Sequence, residues 1–520
     1  MNHALILQVE LKLQIAVARR AEDLIIHLFN LAGAAFCIAP SLIMNKTIFP
    51  YYCLSLFLLA LLIALPARAE LDLSLPDYNL PDIGDSSIGL IGYAKERAIG
   101  LKVLRDIRAT APVIEDPEIS AWIRSLGNRL SARASGSNNP YYFLVLKDSA
   151  VNAFATLGGV IVVNTGLILQ TESEDELAAV LAHEIAHVSQ RHIARMVENS
   201  KRNMLGTGVA ILAGILASSK NADAGQAIIT GAVAMQAHKD LSFSRVAESE
   251  ADRVGLRILA MAGFNPAAMP IFLKKLETEF SGAKGAANEY LRTHPLTVKR
   301  VSDARSIASK YGRFKQKSQH QTYQYMREKI RVLSRARGKH AHFPQNIGVN
   351  IRRYAKASAV LQRGKLSAAL KIMGTKSRQK SEALLIARVF FLQRKYQAVV
   401  QLLKPLVRLY PGENALIIPL ADAYLGLGQA QQAWRLINRV VLSEQSSLTF
   451  FEVRQRVARQ LGLMGSAYRS VAERNIRIGE YKHAITQALQ AMKSAHISTL
   501  ELQASQHLFR EAKIAEKNQK

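Results

Sequence analysis

A chain of 520 residues is too long for one ordinary core, so two or more domains are expected, and 49% hydrophobic content fits a globular protein carrying a targeting segment. The formal net charge of +28 invites a nucleic-acid reading, yet no nucleic-acid-binding motif accompanies the basic side chains. They are read instead as a solvated face, or as a surface for acidic partners or a peripheral contact with anionic lipid head groups.

The first residues read as targeting sequence. Tyr51 to Leu65 is an apolar run too short to span a bilayer securely, and it ends in Pro66-Ala67-Arg68-Ala69 before Glu70. Ala67 and Ala69 form the small-residue pattern of a signal-peptidase site, so 44–69 is expected to be a signal peptide with Lys46 as its charged start. Residues 1–43 then read as a non-native upstream extension, and an uncleaved membrane anchor is the alternative. Cys37 and Cys53 both precede residue 70. If that stretch is removed, disulfides and a cysteine nucleophile drop out, and any metal site must use nitrogen and oxygen ligands.

Residues 70–90, rich in Pro, Asp, Ser and Gly, read as an extended arm. From Ile91 the pattern turns helical, with Ala94, Ile99, Leu101 and Leu104 in amphipathic array, and a second helix opens at Ile119 with Ile123, Leu126 and Leu130. Tyr141 to Leu146 alternates like a strand, and Gly158-Gly159 leads into a second strand at Val160 to Val163. A strand here could offer unpaired backbone groups to an extended peptide.

His183-Glu184-Ile185-Ala186-His187 is an HExxH motif inside a strongly helical segment. Residues four apart lie one turn apart on one face, so the two imidazoles can converge on one ion. The glutamate between them then sits beside the water that the ion acidifies. Ser173 and Glu176 form a capping box, Glu174 and Asp175 fall in the first turn, and Leu177, Val180, Leu181, Ile185 and Val188 make an apolar stripe. His192, nine residues from His183, points off the ligand face of a continuous helix and is read as structural.

Met204 to Met235 is rich in glycine and alanine, in two apolar halves each too short to cross a membrane, and reads as a buried hairpin or a flap over the site. Downstream, Ala247-Glu248-Ser249-Glu250-Ala251-Asp252 offers a glutamate that completes a two-His, one-Glu set for Zn²⁺, one ion per chain. Asp252 shares a helix face with Glu248 and can hydrogen-bond a ligand.

At these landmarks the chain resembles the HExxH gluzincin-type zinc metallopeptidases that include the CAAX prenyl proteases and the mitochondrial Oma-type proteases. The matching residues are Asn152-Ala153-Phe154-Ala155, the Gly159–Asn164 run, the HExxH helix with Arg191-His192, the Glu248–Asp252 helix, His294-Pro295 and Arg300. The resemblance makes Glu248, rather than Glu250, the third ligand. It also gives His294 a place near the metal, where a fourth imidazole could hold a latent state. Asn152, Phe154, Gly159, Val160 and Arg300 are the substrate-contact candidates, although Arg300 could equally bond carbonyls in the core. The bacterial periplasmic branch of this family implies work on misfolded or stalled outer-membrane proteins and contact with their assembly machinery.

Residues 311–344 read as a basic helical connector. Beyond about residue 345 the pattern is helix–turn–helix: Gly364-Lys365-Leu366 with Ala369, Arg394-Lys395-Tyr396 with Ala398, Gly428-Gln429 with Ala433, and Gly479-Glu480-Tyr481 with Ala484. Positions 394 and 428 are 34 apart, the tetratricopeptide period, and Pro411 falls between helices. The concave face of such an array binds a peptide or partner. The expected fold is therefore α+β, a mainly helical zinc metallopeptidase domain at 91–310 with a small sheet, followed by an all-α tetratricopeptide-like domain at 345–520. The expected function is that of a periplasmic metalloendopeptidase, with Glu184 as base; a chaperone or scaffold that rarely cleaves is the rival.

Overall fold

A computed structural model describes residues 92–135, 140–196, 243–280, 289–312, 314, 320–334, 343–344, 347–495 and 497–517. All of them belong to one compact unit, Asp82–Lys520. The expected extension at 1–43, signal segment at 44–69, arm at 70–90 and flap at Met204–Met235 lie outside the described residues.

Two helices open the unit, α1 (Tyr93–Thr110) and α2 (Pro117–Ser131). Asp116 starts α2: its carboxylate accepts from the Glu118 and Ile119 amides, and Pro117 takes the first-turn place where no amide is needed. Three strands follow, β1 (Tyr142–Leu146), β2 (Ala153–Ala155) and β3 (Val160–Asn164), in the order β1-β3-β2. β1 runs parallel to β3, and β2 runs antiparallel to it. Every strand residue is buried, because both faces of the sheet are covered. Tyr142, Leu144, Val160 and Val162 pack against Val103, Leu104 and Ile107 of α1. Phe143, Val145, Ile161 and Val163 belong to the core shared with α2.

The sheet leads through α3 (Thr165–Gln170) into α4 (Glu174–Ser189), which carries the HExxH motif. Ser173 accepts from the Glu176 amide as expected, but the Glu176 carboxylate accepts from the Glu172 amide, not from Ser173, so only half of the capping box forms. From Leu177 to Ser189 every residue of α4 is buried, which makes it the central helix of the domain. Four helices complete this part among the described residues: α5 (Arg245–Met261), α6 (Ala268–Phe280), α7 (Glu289–Thr293) and α8 (Val298–Ser309). α5 approaches α4 closely at Gly255, where an added Cβ would lie 3.2 Å from the His183 backbone. That approach brings the acidic side chains of α5 to the histidines of α4.

α9 (His320–Leu333) falls within the expected connector. Beyond it the chain is entirely helical: Val349–Gln362 with Leu366–Met373, Lys380–Leu392 with Tyr396–Leu409, Asn414–Gly426 with Ala430–Ile437, Leu448–Gln460 with Met464–Arg477, and Tyr481–Met492 with Thr499–Lys517. In the first four pairs a residue with positive φ stands two places before the second helix: Gly364, Arg394, Gly428 and Gly462. Five residues after each comes a buried side chain, Ala369, Val399, Ala433 and Ala467. The recurring position is thus Val399, not the half-buried Ala398. Gly462 extends the series that runs from Arg394 through Gly428, and Gly479, although off that spacing, has the same positive φ two places before Tyr481–Met492, with Ala484 buried five residues on.

The helical array and the metallopeptidase-like part share one hydrophobic core. Polar contacts reinforce the junction. Gln445 accepts from the Phe143 amide and donates to the Tyr141 carbonyl, occupying the outer edge of β1. Lys329 of α9 pairs with Asp116 and Glu118 of α2 at 2.7 and 2.9 Å. No helix among the described residues is long and apolar enough to cross a membrane.

Candidate metal centre

α4 presents His183, Glu184 and His187, α5 presents Glu248 and Asp252, and the turn after α7 presents His294; all six are buried. His183 Nε2 and His187 Nε2 are 3.0 Å apart, and Glu248 Oε1 lies 3.3 Å from His187 Nε2. His294 Nδ1 lies 3.3 Å from His183 Nε2 and 3.0 Å from Glu248 Oε1. Donor atoms of His183, His187, Glu248 and His294 all fall within 4.8 Å of one another. Ligands about 2.0–2.1 Å from a tetrahedral zinc stand roughly 3.3 Å apart, so these spacings suit one ion. A second feature fits as well. The Glu184 carboxylate is fully buried and no side chain among the described residues hydrogen-bonds it; the Ala155 backbone approaches it, and His294 Nε2 lies 3.5 Å from Oε1.

Considering the protein groups alone, burial raises the Glu184 carboxyl above its ordinary value, opposed by His294 and His183. Burial would raise Glu248 too, but His294, His183 and His187 outweigh it and hold the carboxylate well below the usual range. Burial and the neighbouring imidazoles drive His187 well down, toward the neutral form that a ligand needs. His183 goes the other way, to about 10, because Asp252 and Glu248 outweigh its burial.

Asp252 Oδ1 lies 3.0 Å from His183 Nδ1, the ring nitrogen facing away from the cluster. Arg300, on α8, donates to both Asp252 oxygens at 2.7 and 2.9 Å and to the Pro295 carbonyl, and its Nη1 lies 2.6 Å from Glu248. With these partners and 3% exposure, Arg300 holds the carboxylates of α5. The free edge expected of the Val160–Val163 strand is absent for a topological reason. β3 is the central strand, its backbone paired to β1 and β2, so Gly159 and Val160 face the Pro140–Tyr142 strand entry and β2. The strand nearest the cluster is β2, whose Ala155 backbone faces Glu184. The Phe154 ring turns to the other face of the sheet, among the side chains of α1. The Asn152 carbonyl accepts from the Asn164 amide.

The rotation expected of a continuous helix does not apply to His192. α4 ends at Ser189, and Arg191 adopts φ 53, so the chain turns back and His192 Nδ1 comes to 2.8 Å from His187 Nδ1. Burial and then Arg195 lower His192 to about 4, which keeps it neutral. Glu250 sits behind it, 3.2 Å from His192 Nε2, and stays out of the metal cluster. Phe243 stacks on His187 with ring centroids 3.9 Å apart, and Tyr290 stacks on His294 at 4.6 Å. Neither aromatic carried a periodicity or motif that sequence reading could have used.

Two imidazoles and a carboxylate from crossing helices, with a buried glutamate beside them, define a candidate HExxH-type metal site. Residues 117–308 match Peptidase family M48, so the chain carries a domain of that family. Its relatives extend the likeness. The beta-barrel assembly-enhancing protease of Yersinia pestis is 40% identical over 268 residues, 51% of this chain and 54% of that protein. Its Escherichia coli (strain K12) counterpart is 38% identical over 231 residues, 44% of this chain and 47% of that one. The mitochondrial metalloendopeptidase OMA1 of Arabidopsis thaliana is 37% identical over 157 residues, covering 30% and 29%. The chain thus matches about half the length of the beta-barrel assembly-enhancing proteases.

Proposed function

We propose that this protein is a zinc metalloendopeptidase whose metal is held by His183, His187 and Glu248. The observation that carries the reading is the convergence of these donors beside the buried Glu184 carboxylate, which no side chain among the described residues hydrogen-bonds. Zinc, when bound, polarises the scissile carbonyl and acidifies a water molecule. Glu184 takes the proton of that attacking water on a carboxylate oxygen and delivers it to the leaving amine nitrogen. Its burial suits both roles, because a raised carboxyl can hold the proton between the two transfers. Asp252 accepts from His183 Nδ1 and keeps Nε2 turned inward, and Arg300 fixes Asp252. An extended substrate would run beside β2, near Asn152 and Ala155.

His294 gives the site a latent form. Its imidazole lies within the donor cluster, where it would fill the coordination position that catalysis must leave open. The likeness to beta-barrel assembly-enhancing proteases supports work on misassembled outer-membrane proteins, and the Ala67 and Ala69 pattern supports export to the periplasm by the 44–69 segment. The paired helices beyond residue 347, with turns at Arg394, Gly428 and Gly462, support a tetratricopeptide-like surface for the assembly machinery. The latent arrangement also favours a second reading, in which the protein acts mainly as a chaperone or scaffold.

Zinc content and casein cleavage test the proposal together. The purified protein should hold about one zinc per chain, which His187→Ala loses. Glu184→Gln should keep the metal and lose cleavage by at least about a hundredfold, as removal of a general base predicts. Equal zinc loss in both variants would overturn the roles. His294→Ala should raise cleavage with zinc retained; an unchanged or lower rate would sink the latent form.

A further inference from the structure

We infer that His192 and Glu250 form a hydrogen-bonded relay that positions His187 for metal binding, so that His192 is a positioning residue of the site. The inference rests on the metal assignment proposed above and extends it to two side chains outside the ligand set.

Tautomer logic carries the argument. If His187 offers the Nε2 lone pair to a metal, its proton must sit on Nδ1, and that N–H is buried and needs an acceptor. His192 Nδ1, at 2.8 Å, faces it. To accept there, His192 must carry its own proton on Nε2, and this N–H points at Glu250 Oε2, 3.2 Å away. Glu250 in turn is held by Arg195 at 3.1 Å. One protonation pattern satisfies every link: Glu250 accepts from His192, His192 accepts from His187, and the His187 lone pair points inward. His183 is served differently, since Asp252 accepts directly from its Nδ1. The two ligand histidines are therefore anchored from opposite sides, one by a carboxylate and one by a carboxylate acting through an intervening imidazole.

The backbone is shaped for this contact. Arg191 takes a left-handed conformation that a non-glycine residue adopts at some cost. Its side chain lies 4.8 Å over the Tyr93 ring and 3.3 Å from Glu96, which ties the turn to α1. Straightening that turn would carry His192 away from His187.

The test is zinc affinity of the full chain, measured by competition with a chromophoric chelator. Outer hydrogen-bond partners of metal-ligating histidines are worth roughly 10–100-fold in affinity. His192→Leu, which keeps an apolar volume but removes the acceptor, should weaken zinc binding by about that factor. His192→Asn, whose Oδ1 can stand in for the imidazole Nδ1, should recover most of the loss. Glu250→Leu should weaken binding by roughly tenfold or less, because it frees the His192 ring without removing the acceptor. Glu250→Gln, which still accepts, should change little. Circular dichroism of the metal-free variants verifies that the helices persist, and the half-exposed Glu250 site provides the comparison should His192→Leu misfold. Wild-type affinity in both leucine variants, or equal weakening by His192→Leu and His192→Asn, would overturn the relay. A wild-type chain that binds no zinc would instead overturn the metal assignment beneath it.

Discussion

The metal centre and the C-terminal helical array are both buried, but they are held together by opposite means. Around α4 and α5 the interior is charged: Glu184, Glu248, Asp252, His183, His187, His294 and Arg300 are all withdrawn from solvent within one cluster. In the array the interior is mainly apolar, with covered alanines such as Ala369, Ala433, Ala467, Ala484 and Ala488 set among larger side chains such as Leu416, Phe450 and Phe451. A charged interior is specific but unforgiving, since removing one partner strands another in a low-dielectric surrounding. A close-packed apolar interior is permissive in chemistry and strict in volume, above all where an alanine fills the contact. The two parts should therefore fail for different reasons.

The largest effect is expected at Arg300. Arg300→Leu leaves Asp252 and Glu248 without their buried counterion, and breaking such a group costs about 3–5 kcal/mol. Urea denaturation of the metal-free protein measures it; a loss below about 1 kcal/mol would mean that the charged cluster is more tolerant than this contrast requires.

Next comes a pH effect at Glu174. Burial raises its carboxyl from 4.5 to about 7, against the pull of Arg129, and so overrides the favourable first-turn position that the sequence suggests. A carboxyl raised on folding stabilises the protein fully below pH 4.5, and that contribution is lost as pH rises through about 7. Glu174→Gln should remove this loss. Relative to wild type, the variant should gain up to roughly 3 kcal/mol between pH 4.5 and pH 8, since each pKa unit is worth about 1.4 kcal/mol. Parallel stability curves for the two proteins would show that Glu174 keeps its ordinary value.

In the array, volume is the weak point. Ala484→Leu forces extra methylenes into a filled contact and should cost about 1–3 kcal/mol, read as a lower melting temperature, while zinc content stays unchanged. Loss of zinc in this variant would show that the two parts are more tightly coupled than their shared core implies. The smallest effect is expected at the start of α4. Ser173→Ala removes the hydroxyl that accepts from the Glu176 amide and should cost about 1 kcal/mol. A neutral result would mean that the Glu176 carboxylate, which caps the Glu172 amide, carries that helix start alone.

Much of the site was legible before the structure because its chemistry is local. The pair His183 and His187 needs only a helix between them, and the helix announces itself through its cap and apolar stripe. Glu248 and Asp252 share a face for the same reason. What misled was the continuation of local rules past their end. His192 was placed by helical rotation beyond Ser189, although Arg191 had already broken the helix. The Val160 strand was expected to offer an edge, yet which strand of three lies in the centre depends on pairing across the sheet. Residue type points to Ala398, whereas the packed position in that turn belongs to Val399.

The sequence by itself determined the residue types of the candidate metal site, the helices that carry them and the recurring helix pairs, because spacing along a helix is set by backbone geometry alone. Only the tertiary structure decided how these parts meet. Gly255 lets α5 come close enough to α4 for Glu248 to join the two histidines. Arg300 ends on the carboxylates of Glu248 and Asp252, and Phe243 and Tyr290 close over the imidazoles. The outward nitrogens of His183 and His187 find their acceptors on α5 and beyond the turn at Arg191. These contacts join residues distant in the chain or separated by an irregular turn, and their geometry follows from packing, which no periodicity encodes.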